Sequence, residues 1–251
     1  MQYLRSATIE KMTKLVLIDG NAILHRAYHA LPPMTANSGE PIHAVYGFVS
    51  MLLRIIELLK PTHIAVAWDT PKPTFRHVEY SQYQSQRPRE QSDLSPQFSI
   101  MQKVLESMKI PNFSLEGFEA DDVIGTIAQQ CINSQLVDEV NIVTGDRDIL
   151  QLVDDSKNIK VFMPIKGISE GKLYGESDVV ERLGVKPSEV IDYKALVGDP
   201  SDNYPGVLGI GPKTAIDLLL KYQTLEKIYE NLWQIPDKAA KKLALGAEAA
   251  A

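Results

Sequence analysis

Five short apolar runs divide the chain, and three of them end one or two positions before an aspartate. Lys14–Ile18 (KLVLI) ends in Asp-Gly-Asn and predicts a buried strand entering a loop. His63–Trp68 (HIAVAW) predicts a second strand ending at Asp69, and Glu139–Thr144 (EVNIVT) a third ending at Gly145-Asp146. Shorter strands are expected near Phe113 and over Ile159–Met163. Between them the apolar period changes to that of helices. Val45, Phe48, Val49, Leu52, Ile56 and Leu59 lie on one face of a helix over His43–Lys60. Further helices are predicted from about Pro96 to Met108 and over Ala120–Cys131. The pattern is helical at 176–183, 188–197, 213–221 and 225–232, and the Ala- and Lys-rich tail from Ala239 to Ala251 is a good helix former. Strands alternating with helices imply an α/β fold with a mostly parallel central sheet flanked by helices.

At 251 residues, with 44% hydrophobic and 23% charged side chains, the chain suits one α/β domain with a small appended lobe. Neither a membrane span nor the apolar core of a secretory signal is visible, and the single Cys131 has no internal disulfide partner, so a reducing cytoplasm is expected. The net charge of −6 argues against a nucleic-acid partner unless acids and bases are segregated, so their placement must decide.

In open parallel sheets, sites form beyond the carboxyl ends of the strands, so Asp19, Asp69 and Asp146 should converge. One aspartate after one strand is ordinarily a turn or capping residue; three in three need another reason. Glu119-Ala-Asp121-Asp122 opens a helix, Asp148 follows Asp146 by two, and Asp199 and Asp202 lie in Gly-Asp-Pro-Ser-Asp-Asn. Nine converging carboxylates would repel one another and raise their own pKa values unless cations neutralise them. Hard divalent ions with oxygen ligands answer that need, and a pair of them serves phosphodiester chemistry in a nuclease, a phosphatase or a ribonuclease alike.

Gly206, Gly209 and Gly211 allow tight turns before an apolar helix, with Pro212 at its first position and Lys213-Thr214 following. Such a helix N-terminus beside a lysine is a clamp for duplex phosphates without sequence preference. The polar stretch 70–95 interleaves Lys72, Arg76, His77, Arg87 and Arg89 with Phe75, Tyr80 and Tyr83, which suits single-strand backbone contact and base stacking.

Together these segments resemble the 5′-nuclease (flap endonuclease) family, in particular the 5′-3′ exonuclease domain of bacterial DNA polymerase I, from about Met12 to Lys242. The resemblance rests on LVLIDGNAILHRAYHAL, AWDTPKPTFRH, EADDVIGTIA, VTGDRDILQLV, VGDPSDNYPGVLGIGPKTA and LLLKYQTLEKIYENL. It implies a PIN-like sheet domain over 12–175 with an arch at about 70–95, and a helical duplex-binding lobe over 176–251 with a helix–three-turn–helix element at about 188–221. It further implies two Mg²⁺ or Mn²⁺ ions: Asp19, Asp69, Glu119 and Asp121 serve chiefly the first, Asp146, Asp148, Asp199 and Asp202 the second, and Asp122 supports either. Arg76 and Arg87 grip phosphates near the cut, with Tyr83 and Gln84 also at the DNA. Gly206 to Lys213 bind the downstream duplex and a K⁺ ion. The implied partners are flapped, nicked or branched DNA and a DNA polymerase, covalent or separate. The implied setting is a monomer acting in replication and repair at the nucleoid, away from membranes.

Three departures bear on these expectations. The family's arch motif reads Tyr-Lys-x-x-Arg, whereas this chain has Tyr83-Gln84-Ser85-Gln86-Arg87, so a cation beside the scissile phosphate is missing and slower cutting is expected. Residues 1–11 precede the family's usual start, with Met12 an equally natural initiator, and the chain ends where the family continues; it reads as a stand-alone nuclease or a fragment. Two rival readings follow from the same residues: a catalytically weak DNA-junction binding protein, and a PIN-like ribonuclease.

Overall fold

The computed structural model describes residues 12–88, 90–166 and 170–250, so the segment before Met12 and Arg89 lie outside the described residues. Six strands, β1 (Lys14–Asp19), β2 (His63–Ala67), β3 (Asn112–Phe113), β4 (Glu139–Val143), β5 (Ile159–Lys166) and β6 (Glu170–Tyr174), form one sheet in the order β3-β2-β1-β4-β5-β6. All pairings are parallel except β5 with β6. The mostly parallel α/β architecture is as the alternation predicts; β6 is an addition, since EGKLY carries no apolar run and is fixed as an edge strand by its partner.

Alternation along the strands builds the core on both faces of the sheet. Leu15 and Leu17 of β1, with Ala65, Ala67, Val140 and Ile142, pack under α5 (Ala120–Asn133) and the C-terminal helices. Val16 and Ile18, with Val66, Trp68 and Val143, face α1 (Gly20–Ala30), α2 (His43–Leu59) and α4 (Ser95–Ser107). α3 (Phe75–Glu79) is a single turn inside the polar stretch. The remaining helices are α6 (Glu176–Leu183), α7 (Val190–Val197), α8 (Pro212–Tyr222), α9 (Leu225–Glu230), α10 (Asp237–Leu245) and α11 (Ala247–Ala250). Among the described residues no helix is long and apolar enough to cross a membrane.

The Asp-Gly-Asn after β1, expected as a loop, instead starts a helix at once. Asp19 caps α1 by accepting from the Ala22 amide at 2.9 Å. Gly20 is required there because a Cβ would fall 2.5 Å from the Trp68 ring. This abrupt strand-to-helix step sets the Asp19 carboxylate at the C-terminal end of β1, where the site lies.

Candidate metal centre

β1 lies between β2 and β4, and all three run parallel, so their carboxyl ends open onto one side. A cavity of about 610 Å³ there is walled by Asp19, Asp69, Glu119, Asp121, Asp146, Asp148 and Asp202. Asp199 lines an adjoining groove of about 950 Å³, which shares Asp146 and Asp148 with the first. Oxygens of Asp148, Asp199 and Asp202 lie within 4.8 Å of one another. Eight of the nine carboxylates singled out in the sequence thus border two adjoining cavities with a shared wall.

The ninth, Asp122, points elsewhere. Both its oxygens accept from the Arg76 guanidinium at 2.8 Å, and the Glu119 amide donates to it at 3.0 Å. Burial works to raise its pKa, but the Arg76 bonds, the Glu119 amide and the Arg76 charge outweigh it and hold Asp122 below the usual carboxylate range. Arg76 also pairs with Glu119 at 3.2 Å, so this guanidinium, expected to grip phosphate, balances two acids at the start of α5. The bidentate fork is what an arginine offers a carboxylate, and it holds Asp122 while the same guanidinium stays beside Glu119.

The carboxylates are held by short backbone turns. Thr144 donates its hydroxyl to Asp19 at 2.7 Å and accepts from the Asp146 amide at 2.9 Å, so one threonine links two strand ends. Asp148 donates its amide to Asp146 Oδ1, and Asn21 accepts from the Asp69 amide while Asp69 accepts from Ala120. Thr144 and Asn21 are not among the predicted site residues; each lies two positions from a predicted aspartate across a glycine, and that proximity is the signal available for them. Lys194 of α7 was also missed. Its ammonium pairs with both Asp148 and Asp199, although it lies five residues from the nearer of them.

Electrostatics follow from this crowding. Burial pushes Asp19 up to about 6 against the bonds from Ala22 and Thr144, with the charges of Asp69 and Asp146 adding to the rise. Asp121 is raised well above its ordinary value by burial and by Asp19, Asp146, Asp69 and Glu119. Glu119 and Asp148 are likewise raised, burial being the leading cause in both. The donor set is all oxygen, crowded, and short of positive charge, which fits hard divalent cations. For the protein without ions, Asp19's raised pKa favours the protonated form in the fold. Its stabilising contribution is complete below the ordinary carboxylate value and is lost as the pH rises through about 6. Cation binding has the opposite sign, because the ion needs the deprotonated carboxylate. Mn²⁺ affinity, followed by titration between pH 7.5 and 5, is expected to fall as the pH drops through about 6, by about tenfold per pH unit for each proton displaced. A flat profile would place Asp19 outside the cation site.

The polar stretch proves to be tied down rather than open. The Tyr83 ring is only 4% exposed, packed edge-on to His77 at 5.1 Å and against Tyr204 at 5.7 Å, and its hydroxyl donates to Glu119 at 3.1 Å. It forms cavity wall, and the expected stacking face is covered. Tyr80 stacks on Tyr204 at 5.3 Å, and Asn203 donates to the Gln82 carbonyl and the Ser85 hydroxyl. Gln84, in left-handed backbone geometry at φ 53°, reaches Asp202 at 3.2 Å and Glu119 at 3.5 Å, and Arg87 donates to Asp202 at 2.9 Å while half exposed.

On the other flank, the turn between α7 and α8 approaches the site through Asp199 and Asp202. Gly206 and Gly209 have φ of 60° and 83°, so both use the freedom predicted for them, whereas Gly211 has φ −98° and simply precedes Pro212 at the α8 N-terminus. Lys213 is exposed in the first turn of α8, Thr214 is half-buried behind it, and the Lys242 ammonium reaches back to the Gly209 carbonyl at 2.7 Å.

A mostly parallel sheet carrying a carboxylate cluster at its strand ends, next to a glycine-turned helical hairpin, defines an α/β protein whose acidic cluster is suited to cations. The model of the 5′-3′ exonuclease N-terminal resolvase-like domain matches residues 14–184 and that of the 5′-3′ exonuclease C-terminal SAM fold residues 185–251; the chain belongs to the 5′-3′ exonuclease family. It is 39% identical over 237 residues to the 5′-3′ exonuclease of Bacillus subtilis, covering 93% of this chain and 78% of that one. It is 43% identical over 237 residues to DNA polymerase I of Caldicellulosiruptor bescii, covering 94% of this chain but only 28% of the polymerase. Among solved structures, a T5 5′-exonuclease with bound zinc is similar at 25% identity and a TM-score of 0.76, over 94% of this chain and 86% of that one.

Proposed function

We propose that the chain hydrolyses phosphodiesters of flapped, nicked or branched DNA near the single-strand/duplex junction, leaving a 5′-phosphate. The convergence of seven carboxylates on one cavity and an eighth, Asp199, on the groove adjoining it, beside a hairpin suited to duplex phosphates, carries this reading. The family's named exonucleases and the zinc ions of the T5 enzyme support it.

Asp19, Asp69, Glu119 and Asp121 would hold one Mg²⁺ or Mn²⁺, and Asp146, Asp148, Asp199 and Asp202 a second. Such ions supply an activated water and offset charge on the departing oxygen. The protein's own share is positioning. Thr144 and Asn21 aim the carboxylates, Arg76 holds Asp122 and stays beside Glu119, and Gln84 with Arg87 holds the arch segment against Asp202. Gly206, Gly209, Gly211, Lys213 and Thr214 would seat the downstream duplex, with K⁺ on the carbonyls of that turn. In this reading residues 12–175 form the nuclease lobe and 176–251 the duplex lobe of a monomer acting on nucleoid DNA in the cytoplasm, on its own or with a DNA polymerase.

The test is a panel of 5′-labelled DNA flap, nicked duplex, single strand and RNA hairpin with Mg²⁺. Cutting of the flap and nick at the junction, with the other two spared, is the expected outcome; preference for RNA would overturn the reading. A second measurement addresses the arch. Gln84→Lys places a cation between Asp202 and Glu119, where the amide now lies, and should raise the single-turnover rate at saturating flap by roughly tenfold. An unchanged rate would show that this charge is not what limits cutting.

A further inference from the structure

Among the described residues Lys194 is the one whose ammonium pairs with the carboxylates assigned above to the second ion, and this inference rests on that assignment. Its Nζ pairs with Asp148 and with Asp199, whose oxygens together with those of Asp202 lie within 4.8 Å. The side chain is 30% exposed and borders the 950 Å³ groove, where Arg147, His29 and Tyr193 form adjoining wall. α7 is anchored behind it by buried Val190 and Leu196, and the Gly198 amide closes the helix on the Lys194 carbonyl at 2.7 Å. The helix therefore fixes the backbone of Lys194 within reach of both carboxylates.

We propose that Lys194 is a tethered counter-cation of the second ion site. It shares Asp148 and Asp199 with the incoming ion, so the two sites load in order and the one Lys194 guards loads last. A divalent ion and an ammonium cannot both take full benefit of the same two carboxylates, because like charges at such range repel. Loading of the guarded site must therefore loosen the Lys194 pairs. The groove beside it gives the flexible four-carbon stem room to swing, and there the ammonium faces the space a DNA phosphate would enter. The geometry makes Lys194 a positioning residue: it acts through Asp148 and Asp199.

The test is equilibrium Mn²⁺ binding, counted by the loss of the free-ion electron paramagnetic resonance signal, in the wild-type chain and in Lys194→Gln, Lys194→Met and Lys194→Arg. Wild type should show two unequal sites. Lys194→Gln and Lys194→Met should tighten the weaker site by about tenfold while leaving the stronger site within about twofold, and Lys194→Arg should keep the weaker site weak. Circular dichroism establishes that each variant is folded, and Lys194→Gln retains a hydrogen-bond donor that Lys194→Met lacks. Equal tightening of both sites, no tightening in either neutral variant, or tightening in Lys194→Arg as well would overturn the proposal. Flap cutting by the wild-type protein with Mg²⁺ reports separately on the nuclease reading, so failure of one is distinguishable from failure of the other.

Discussion

Asp146→Asn is expected to lower single-turnover cleavage of a flap by roughly a thousandfold while leaving duplex affinity within about threefold. The two effects separate because of where Asp146 sits. Its Oδ1 accepts from the Asp148 amide at 2.9 Å, a bond that an asparagine carbonyl can still accept, and its own amide is held by Thr144. The local turn therefore survives the substitution, and what disappears is one negative charge between the two groups of carboxylates. Loss of that anionic oxygen weakens cation binding where both groups meet, and this outweighs the relief of the repulsion by which Asp146 raises Asp19, Asp121 and Asp148. Among the described residues Asp146 has no hydrogen bond to the turn at 206–213, so the duplex binding proposed for that turn should persist. Single-turnover kinetics and fluorescence anisotropy in EDTA measure the two quantities. Parallel loss of binding and cutting would mean that the cluster holds the fold together instead.

The second large effect is expected from Gly206→Ala. At φ 60° a side chain is already strained, and an added Cβ would lie 2.2 Å from the Gly198 nitrogen and 2.5 Å from the Val197 carbonyl carbon. Those atoms are backbone of the α7 end and cannot rotate away as a side chain could. The cost should be about 3 kcal/mol or more, which for a chain of this size lowers the melting temperature by roughly 6–12 °C. Because Gly198 adjoins Asp199, the displacement also reaches the cation site, so both duplex affinity and cleavage should fall. Gly211→Ala is the internal control: its φ is −98° and nothing lies within 4 Å of the added Cβ. It should melt within a degree or two of wild type, and equal damage from both substitutions would refute the geometric explanation.

How far the sequence discloses this arrangement differs from element to element. β1, β2 and β4 are visible because each is a short apolar run, and their parallel order makes Asp19, Asp69 and Asp146 neighbours once the strands are found. α1 is hidden because Asp-Gly-Asn is ordinarily turn chemistry. Gly20 is there for contact with Trp68, a residue 48 positions away, and no local pattern reports that. Asp122 reads like its neighbours in Glu-Ala-Asp-Asp, yet its pairing with Arg76 removes it from the cavity. Tyr83 carries the aromatic signature of a stacking platform, but the same ring, placed between His77 and Tyr204, becomes wall. Lys194 looks like any lysine on a short helix. Its role emerges only when α7 is set beside the end of β4, a long-range placement that hydrophobic period alone cannot encode.

These particulars rest on one claim, that the converging carboxylates cut DNA with divalent cations. The most direct measurement is cleavage of a 5′-labelled flap by the wild-type chain with Mg²⁺, with EDTA, and with Mg²⁺ restored after EDTA. Cutting at the junction that EDTA abolishes and Mg²⁺ restores is the result expected. Tight flap binding with no cutting under any of the three conditions, or cutting that persists in EDTA, would contradict it.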